Sequence, residues 1–317
     1  MKLTDLIDKE YETIDSSTIK RNVLENNPNT FGKLVKEYES FLLYAQRTTI
    51  SELECKIEKT LPKFFRKHPW TSRNITELSL ILKNYEVDAE FVHSGYFLSY
   101  LINHLHLVNS EEKYLIVTKH LNKKINALCK YNESDVTIDG NAGDFLCKEM
   151  ISGTVVLQGD AETFACDYMS GGIVTITGNT KNLPGSYLKG GKIKILKNAG
   201  YGAGAFSEGG KILIYGNAES ECGYEMIKGI IEVKGNCGDD LGRLMKGGTI
   251  RAHGTTGENV GDCMEGGIIY LLQNKKKKQL GIPSGNNGRI YVQGKQIFPS
   301  ERRVNDSEKN NEKIEYT

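Results

Sequence analysis

The sequence predicts an all-α domain over residues 1–132, a parallel β-helix over residues 133–298 and a polar tail over residues 299–317. Three observations predict the β-helix. Similar blocks recur every 19 residues, each block opens with a short alternating strand pattern, and each complete block closes with glycine. Self-similarity at a fixed period is the signature of a solenoid, in which each repeat contacts only its neighbours.

The repeat can be followed through eight block starts. The blocks begin at Asp135, Thr154, Ile173, Lys192, Lys211, Ile230, Thr249 and Ile268. The closing glycines are Gly153, Gly172, Gly191, Gly210, Gly229, Gly248 and Gly267. We expect these glycines to lie at corners of the chain, where a Cβ atom would clash or strain the backbone.

Residues 1–132 lack this period and show helical spacing instead. Between Thr30 and Arg47, apolar residues recur at intervals of three and four, which predicts one amphipathic helix. Further helices are predicted to begin at potential capping residues and to run over 49–62, 74–82, 88–105 and 109–129. Several helices of this length would pack their apolar stripes into a small domain that covers the first rung of the β-helix.

Within each block, particular positions carry particular residue types. The second and fourth positions are aliphatic, as in Ile193 and Ile195, and the sixteenth is mostly methionine. A second glycine stands at the thirteenth position from Gly185 onward. No block has enough apolar surface to fold alone, but stacked copies would align these positions into ladders that fill a narrow core. With rungs about 4.8 Å apart, eight blocks predict a column of roughly 35 to 40 Å.

The period changes near the end of the repeat. After Leu272 the chain contains two residues more than the period requires before a ninth predicted strand over 289–294. This inserted loop contains Lys275, Lys276, Lys277 and Lys278. Four consecutive lysines are typical of a solvated loop, and the alternative is a contact with an anion or an acidic protein.

The glycine pattern also resembles a known family. The segments 167–174 (DYMSGGIV) and 223–229 (GYEMIKG) resemble the β-helix domain at the C-terminus of the glutamate synthase large subunit, a domain type that also forms one of the subunits of formylmethanofuran dehydrogenase. The resemblance covers about residues 135–294, and no family is identified for the N-terminal part. It implies a right-handed parallel β-helix and an architectural role, because in both relatives the domain holds other domains or subunits and supplies no catalytic residue.

Composition excludes few functions but favours a soluble setting. The 41 Lys and Arg residues nearly balance the 40 Asp and Glu residues, so charge gives no reason to expect nucleic acid or an anionic membrane as a partner. There is no apolar run long enough for a transmembrane helix, and the first residues lack a signal-peptide core. We therefore expect a cytoplasmic protein.

The seven cysteines form no CxxC pair. Cys147 and Cys166 are one period apart, so they would stack on adjacent rungs, where a disulfide is conceivable. A cytoplasmic setting argues against that disulfide. We interpret the cysteines as small buried apolar residues and predict no metal site and no cofactor.

A candidate site lies on one corner of the later rungs, where acidic residues gather: Glu219, Glu221, Asp239, Asp240 and Glu258. Stacked like charges repel unless they are solvated or bind something positive. The sequence leaves open a solvated corner, a site for a cation or basic partner, and a carboxylate pair. No catalytic residue is assigned.

Three other patterns have structural explanations. Residues 200–204 (GYGAG) contain GxGxG, but they lie inside the repeat and no helix follows to bind a phosphate. Residues 63–70 mix bases with aromatics, which is typical of a helix end with its rings in the core. His253 has no histidine one period away, and we expect it at the surface.

The sequence therefore favours a non-catalytic scaffold that docks protein partners or other copies of itself. One alternative is a detached glutamate-synthase-like component in glutamate or ammonia metabolism. Another is a hydrolase or lyase that uses the acidic corner.

Overall fold

The computed structural model describes residues 31–49, 52–53, 59, 61, 63–66, 68–86, 89–109, 113–273, 280–281 and 287–298. Across these residues a helical region precedes a β-solenoid of about nine turns with a spacing near 19 residues. This architecture confirms the predicted fold class. The predicted tail over 299–317 lies outside the described residues.

Three α-helices are described in the N-terminal region: α1 (Phe31–Ala45), α2 (Ser72–Ile81) and α3 (Ser94–Asn109). Two 3-10 turns, Leu82–Tyr85 and Ala89–His93, lie between α2 and α3. Helix α1 buries the apolar face that its spacing predicts, and Tyr38 on that face packs edge-on against Phe97 of α3. None of the described helices is long and apolar enough to cross a bilayer.

Side-chain caps explain where the helical segments begin. Helix α2 starts two residues before the predicted position because Thr71 is its N-cap. Asn74 Oδ1 accepts a hydrogen bond from the Thr71 N–H at 3.0 Å. The capping box predicted at Thr49 is confirmed, since Glu52 Oε2 accepts the Thr49 N–H at 3.1 Å and the Glu52 N–H reaches Thr49 Oγ1 at 3.4 Å. Most of the helix predicted to follow it lies outside the described residues.

The helix predicted over 109–129 is wrong. Residues Lys113–Val117 form strand β1, which pairs in parallel with β2 (Asp135–Asp139). Four consecutive apolar residues, 114–117, are buried there. A fully buried strand has no period-two alternation that would distinguish it from a buried helix. The solenoid therefore begins before residue 133.

The helical region covers the exposed edge of β1. The Thr76 hydroxyl of α2 donates to the Leu115 carbonyl at 3.0 Å, and Ser79 Oγ accepts the Val117 N–H at 3.0 Å. From α3, the Ser99 hydroxyl donates to the Ala127 carbonyl at 2.9 Å. The first rung is thus capped by side chains that satisfy its open backbone groups, as a solenoid end requires.

Over the described residues, the solenoid sheet has eleven strands in chain order. After β1 and β2 come β3 (Thr154–Leu157), β4 (Ile173–Ile176), β5 (Lys192–Ile195), β6 (Glu208–Ile214), β7 (Lys228–Val233), β8 (Thr249–Ala252), β9 (Gly266–Leu271), β10 (Asn287–Val292) and β11 (Lys295–Phe298). Neighbours from β1 to β10 are parallel, and identical block positions pair, as Ile193 with Ile212. One register shift occurs at the start of β6, where Glu208 pairs with Lys228. Arg289 pairs with Ile268, so the two extra residues predicted in the last block are absorbed before β10.

The last strand reverses direction. Strand β11 pairs antiparallel with β10, and the turn between them contains Gln293 with φ 49° and Gly294 with φ 79°. Two consecutive positive φ values are the geometry of a type I′ hairpin. This hairpin was not predicted, because the sequence after Gly294 lacks the repeat.

The predicted core ladders are buried. The second and fourth positions of the blocks are at most 2% exposed, and so are the methionines of the sixteenth position. The thirteenth position is glycine because isoleucine side chains of the second position fill the space that a Cβ atom would occupy. A Cβ on Gly185 would sit 2.7 Å from Ile212 Cδ1.

In the first two blocks cysteine replaces that glycine. Cys147 and Cys166 keep the same left-handed backbone, with φ 54° and 63°. For Cys147 the second-position residues one and two rungs further on are Val155 and Val174, and valine lacks the Cδ1 atom that lies closest to the glycines of later blocks. For Cys166 only the nearer of these two residues, Val174, is a valine. Both cysteines are free and fully buried, and burial, with Cys129 and Cys166 nearby, raises the pKa of the Cys147 thiol well above its ordinary value.

A ladder of asparagine side chains, with Asp160 as its one carboxylate, runs down the outside of the corner that follows each strand, and we call it the amide ladder. In successive blocks the seventh-position side-chain oxygen accepts the backbone N–H of the seventh residue one rung later. Asn198 Oδ1 accepts from Asn217 at 2.9 Å, and Asn217 Oδ1 accepts from Asn236 at 2.8 Å. These bonds satisfy N–H groups that leave the sheet, and they hold neighbouring rungs in register.

The outer face of the sheet carries a compact ionic cluster around Glu232. Its carboxylate contacts Lys234 at 2.5 Å, His253 Nε2 at 3.0 Å and Lys211 at 3.5 Å. The hydrogen bond from Lys234 is the main cause that lowers the Glu232 pKa to about 2, with His253 and Lys211 adding to it and partial burial opposing it. His253 is thus placed at the surface, as expected, and three rungs are tied together by these contacts.

The corner glycines generate a first prediction. Gly229 has φ 98°, and a Cβ there would lie 2.3 Å from the Gly209 carbonyl oxygen. Gly248 has φ 84°, with its Cβ position 2.7 Å from Met226 Cε. We expect Gly229→Val to lower the free energy of unfolding by on the order of 3 kcal/mol or more, because strain and clash add, and Gly248→Val to cost somewhat less.

Gly294 provides a matched control, since it has φ 79° with nothing within 4 Å of its Cβ position. Gly294→Val should therefore show the conformational cost alone, roughly 1–2 kcal/mol. The measurement is urea unfolding of the three variants beside the parent protein. Equal losses at Gly229 and Gly294 would show that close rung contact contributes nothing.

The Glu232 cluster generates a second prediction. Its folded pKa of about 2 lies below the ordinary value of 4.5. Its stabilising contribution is therefore fully present above about pH 4.5 and is lost as the pH falls toward 2. Glu232→Gln should lower Tm at pH 7, and the difference from the parent protein should shrink between pH 4.5 and 2. Glu133→Gln, at an exposed carboxylate, is the control, and a Tm difference independent of pH would contradict the charge explanation.

Candidate functional site

One lateral face of the solenoid is built from a ribbon of backbone in alternating left-handed conformation. In the second block, Phe164, Cys166 and Tyr168 have φ of 61°, 63° and 54°. Positive φ recurs at the eleventh, thirteenth and fifteenth positions of successive blocks. The turn after β1 repeats the pattern at Ala127, Cys129 and Tyr131, which supports its place in the solenoid.

Hydrogen bonds between rungs stabilise this conformation, which is rare for residues other than glycine. The Phe164 N–H donates to the Asn182 carbonyl at 2.9 Å, and the Tyr168 N–H to the Ser186 carbonyl at 3.0 Å. Each such bond offsets part of the roughly 1–2 kcal/mol that a left-handed residue costs. The consequence is that the twelfth and thirteenth side chains are buried, while the eleventh and fifteenth lie at the surface.

Aromatic side chains at this surface form a continuous row, which we call the aromatic ridge: Tyr168, Tyr187, Phe206 and Tyr224. Tyr168 and Tyr187 stack at 4.6 Å with an interplanar angle of 1°, and Tyr187 and Phe206 stack at 4.8 Å. Tyr224 meets Phe206 edge-on at 5.4 Å. Tyr168 is 38% exposed despite this stacking, so the ridge presents apolar surface to solvent.

The acidic corner lies on the rungs that follow the ridge. Glu219, Asp239 and Glu258 are exposed, whereas Glu221 and Asp240 are half-buried. Asp239 Oδ1 accepts the Glu258 N–H at 2.7 Å, so one carboxylate of the corner also bonds adjacent rungs. Among the residues that the structure describes, no group of three or more His, Cys, Asp or Glu side chains could hold a metal ion.

Ridge and corner are contiguous. Tyr201, 39% exposed, hydrogen-bonds through its hydroxyl to Glu221, and that bond is the main cause that raises the pKa of Tyr201 to about 12. Partial burial and a hydrogen bond to Glu225 likewise raise the pKa of Tyr224. Tyr224 of the ridge also lies close enough to Glu221 of the corner for that carboxylate to contribute to its raised pKa. The two parts therefore form one face, apolar on the earlier rungs and acidic on the later ones.

Basic side chains on the acidic half are already paired. Arg243 lies 4.0 Å from Glu221 and 3.7 Å from Asp262. Lys246 lies 3.1 Å from Glu225. On the apolar half, Lys189 lies over the Tyr168 ring at 5.6 Å. The net charge of the face is therefore negative toward its C-terminal rungs.

The remaining sequence candidates fall into two groups. Lys275, Lys276, Lys277 and Lys278 lie outside the described residues, so their role stays a prediction. In the basic and aromatic stretch at residues 63–70, Phe65 and Trp70 are each 1% exposed while Lys63 and Arg66 are exposed. That arrangement is the expected helix end with its rings in the core.

The GxGxG run is also structural. Gly202 and Gly204 have φ +70°, and a Cβ on Gly204 would lie 2.5 Å from Ile231 Cδ1. Core packing and the left-handed ribbon require glycine at Gly202 and Gly204. Phosphate binding is therefore not needed to explain the run.

Sequence reasoning missed the left-handed eleventh and fifteenth positions and the aromatic ridge. Non-glycine residues occupy those positions, so the usual signal for positive φ is absent. The signal that could have found them is spacing, because Phe145 and Phe164 are one period apart, as are Tyr168, Tyr187 and Phe206. Phe145 and Phe164 stack at 5.2 Å in the structure.

Comparison with known proteins identifies the solenoid. A family model described as GXGXG motif matches residues 116–284, which is more than half of the 317 residues. The match starts within β1 and fits the resemblance of the repeat to the glutamate synthase C-terminal domain. No curated protein matches the chain. The chain therefore belongs to the GXGXG motif family.

Proposed function

We propose that this protein is a cytoplasmic, non-catalytic docking scaffold, in which the solenoid holds other domains or subunits in fixed positions. The observation that carries the proposal is the attachment of the helical region to the first rung. Hydroxyls of Thr76 and Ser79 bind the open edge of β1, and Glu86 accepts backbone N–H groups of Asn122 and Lys123 in the following turn.

This attachment is specific and not only apolar. Glu86 is a buried carboxylate, and its pKa is lowered by hydrogen bonds from Lys83, Lys123 and Asn122, which outweigh the opposing effect of burial. A buried carboxylate is stable only where several donors meet it. The solenoid end is thus built to receive a second structural unit in one orientation, which is the property that a scaffold needs.

Its lateral surface supports the same proposal. The aromatic ridge leaves large apolar side chains at the surface, next to carboxylates of the acidic corner, of which Glu221 alone has an ion pair among the described residues. Aromatic residues are enriched in protein–protein interfaces. The partners could be other proteins or further copies of this chain.

The test is purification of the tagged protein from its source cells under native conditions, followed by light-scattering measurement of mass. We expect an assembly larger than the 35.3 kDa chain, with a partner in fixed stoichiometry or with several copies of this chain. Protein made in a foreign host and measured in parallel distinguishes self-assembly from a partner. A free monomer in both preparations would contradict the scaffold proposal.

A second candidate is a glutamate-synthase-like component that acts in glutamate or ammonia metabolism. The match of residues 116–284 to the GXGXG motif family favours it, since a glycine-patterned solenoid of this kind is consistent with such a component. Neighbouring genes that encode the amidotransferase and synthase portions, and co-purification of their products with this chain, would support it. A neighbourhood without them would leave only the shared fold.

A further inference from the structure

We propose that the aromatic ridge and the acidic corner form one docking face for an extended polypeptide segment that carries an apolar side chain followed by lysine or arginine. This inference rests on the scaffold proposal and names the chemistry of its partner. It follows from three features of the face: which part of each ring is accessible, which charges are unpaired, and how far apart the two halves lie.

The ridge offers ring edges, not ring faces. Tyr168 and Tyr187 are stacked at 4.6 Å and nearly parallel, so nothing can enter between them. The free end of the stack is covered by Lys189, and the other end by the edge-on ring of Tyr224. A ligand that needs an open ring face, such as a nucleobase or a sugar ring, has none to stack on here. Aliphatic or aromatic side chains pack well against ring edges.

The charge of the acidic corner determines which side chain accompanies the apolar side chain in the partner. Arg243 and Lys246 are engaged with Glu221, Asp262 and Glu225. For Glu219, Asp239, Asp240 and Glu258 no ion pair is found with any lysine or arginine among the described residues. These carboxylates lie on consecutive rungs, where they repel one another. A partner that brings lysine or arginine relieves this repulsion, and an acidic or neutral partner does not.

The register sets the spacing of the partner's side chains. Tyr187 lies in the third block, and Asp239 and Asp240 lie in the sixth. Three rung spacings correspond to about 14 Å along the solenoid, and the lateral offset between the fifteenth position and the tenth or eleventh adds to this, so an extended chain needs at least about four or five residues. Lys189 beside Tyr168 repels a cation at the opposite end of the ridge. The basic end of the partner therefore points toward the later rungs.

The experiment selects binders to the full chain from a library of random 12-residue peptides. We expect enriched sequences to combine an apolar residue with lysine or arginine at least about four or five positions away, and their affinity to fall with added salt. Tyr187→Ala should weaken the best peptide about tenfold or more, as the loss of an interface aromatic commonly does. The double variant Asp239→Asn/Asp240→Asn should also weaken it and should flatten the salt dependence.

The variants are chosen so that loss of folding cannot imitate loss of binding. Asparagine at 239 keeps the oxygen that accepts the Glu258 N–H, and asparagine at 240 tolerates the positive φ of 58° found there. Tyr215→Ala, at a 49% exposed tyrosine on the sheet side, and Glu133→Gln are matched controls that should leave affinity unchanged. Thermal unfolding of every variant accompanies the binding measurement.

Enriched peptides without a basic residue, no enrichment at all, or equal binding by the Asp239→Asn/Asp240→Asn variant would each overturn the proposal. These outcomes are separable from failure of the scaffold role. If the native protein is found in an assembly that the ridge and corner variants leave intact, the scaffold stands and this docking face is wrong. If the native protein is a free monomer, the scaffold proposal is wrong, and the docking face, which rests on it, is wrong as well.

Discussion

The structure depends on strict register between rungs. Identical block positions lie above one another from β2 to β9, apart from one register shift at the start of β6, so the features of each block recur at the same height on the next turn. The amide ladder, the methionine ladder and the stacked rings all require this. Each ladder is formed by one block position on successive rungs. A change in the length of one block would therefore shift all the ladders out of alignment at that rung. The two extra residues of the last block are confined to the segment before β10, where few ladders remain.

Register also explains how strained backbone is maintained. A single tyrosine or phenylalanine in the left-handed region would be an outlier, but here the conformation recurs on rung after rung and is held by bonds in both directions along the solenoid. The result is a segment of five residues whose first and last side chains lie at the surface while the second and third are buried. This arrangement brings Tyr168, Tyr187 and Phe206 into one stack and places the later carboxylates on the rungs that follow. The same geometry that fills the core thus composes the candidate docking face.

Much of the fold could be predicted because the repeats provide their own comparison: eight blocks show which positions are always aliphatic and which are always glycine. The parts that escaped prediction lie where this comparison fails. Strand β1 stands 22 residues before β2, as its pairing of Lys113 with Asp135 shows, and its buried run has no alternation. Strand β11 follows the last block. Only part of the candidate face could be predicted. The acidic corner is visible in the sequence as clustered charge, whereas the ridge depends on positive φ values at tyrosine and phenylalanine, which rarely adopt them.

The two ends of the solenoid differ in a way that limits how copies of it can join. A stack of parallel rungs exposes a strand edge at each end, and two such edges could continue one sheet from molecule to molecule. Here the leading edge is occupied by α2, and the trailing strand β11 runs antiparallel to the rest. An incoming copy would meet a strand of the wrong polarity at one end and a helix at the other. Within the described residues, neither end therefore offers a free parallel strand on which a second copy could continue the sheet in the same direction.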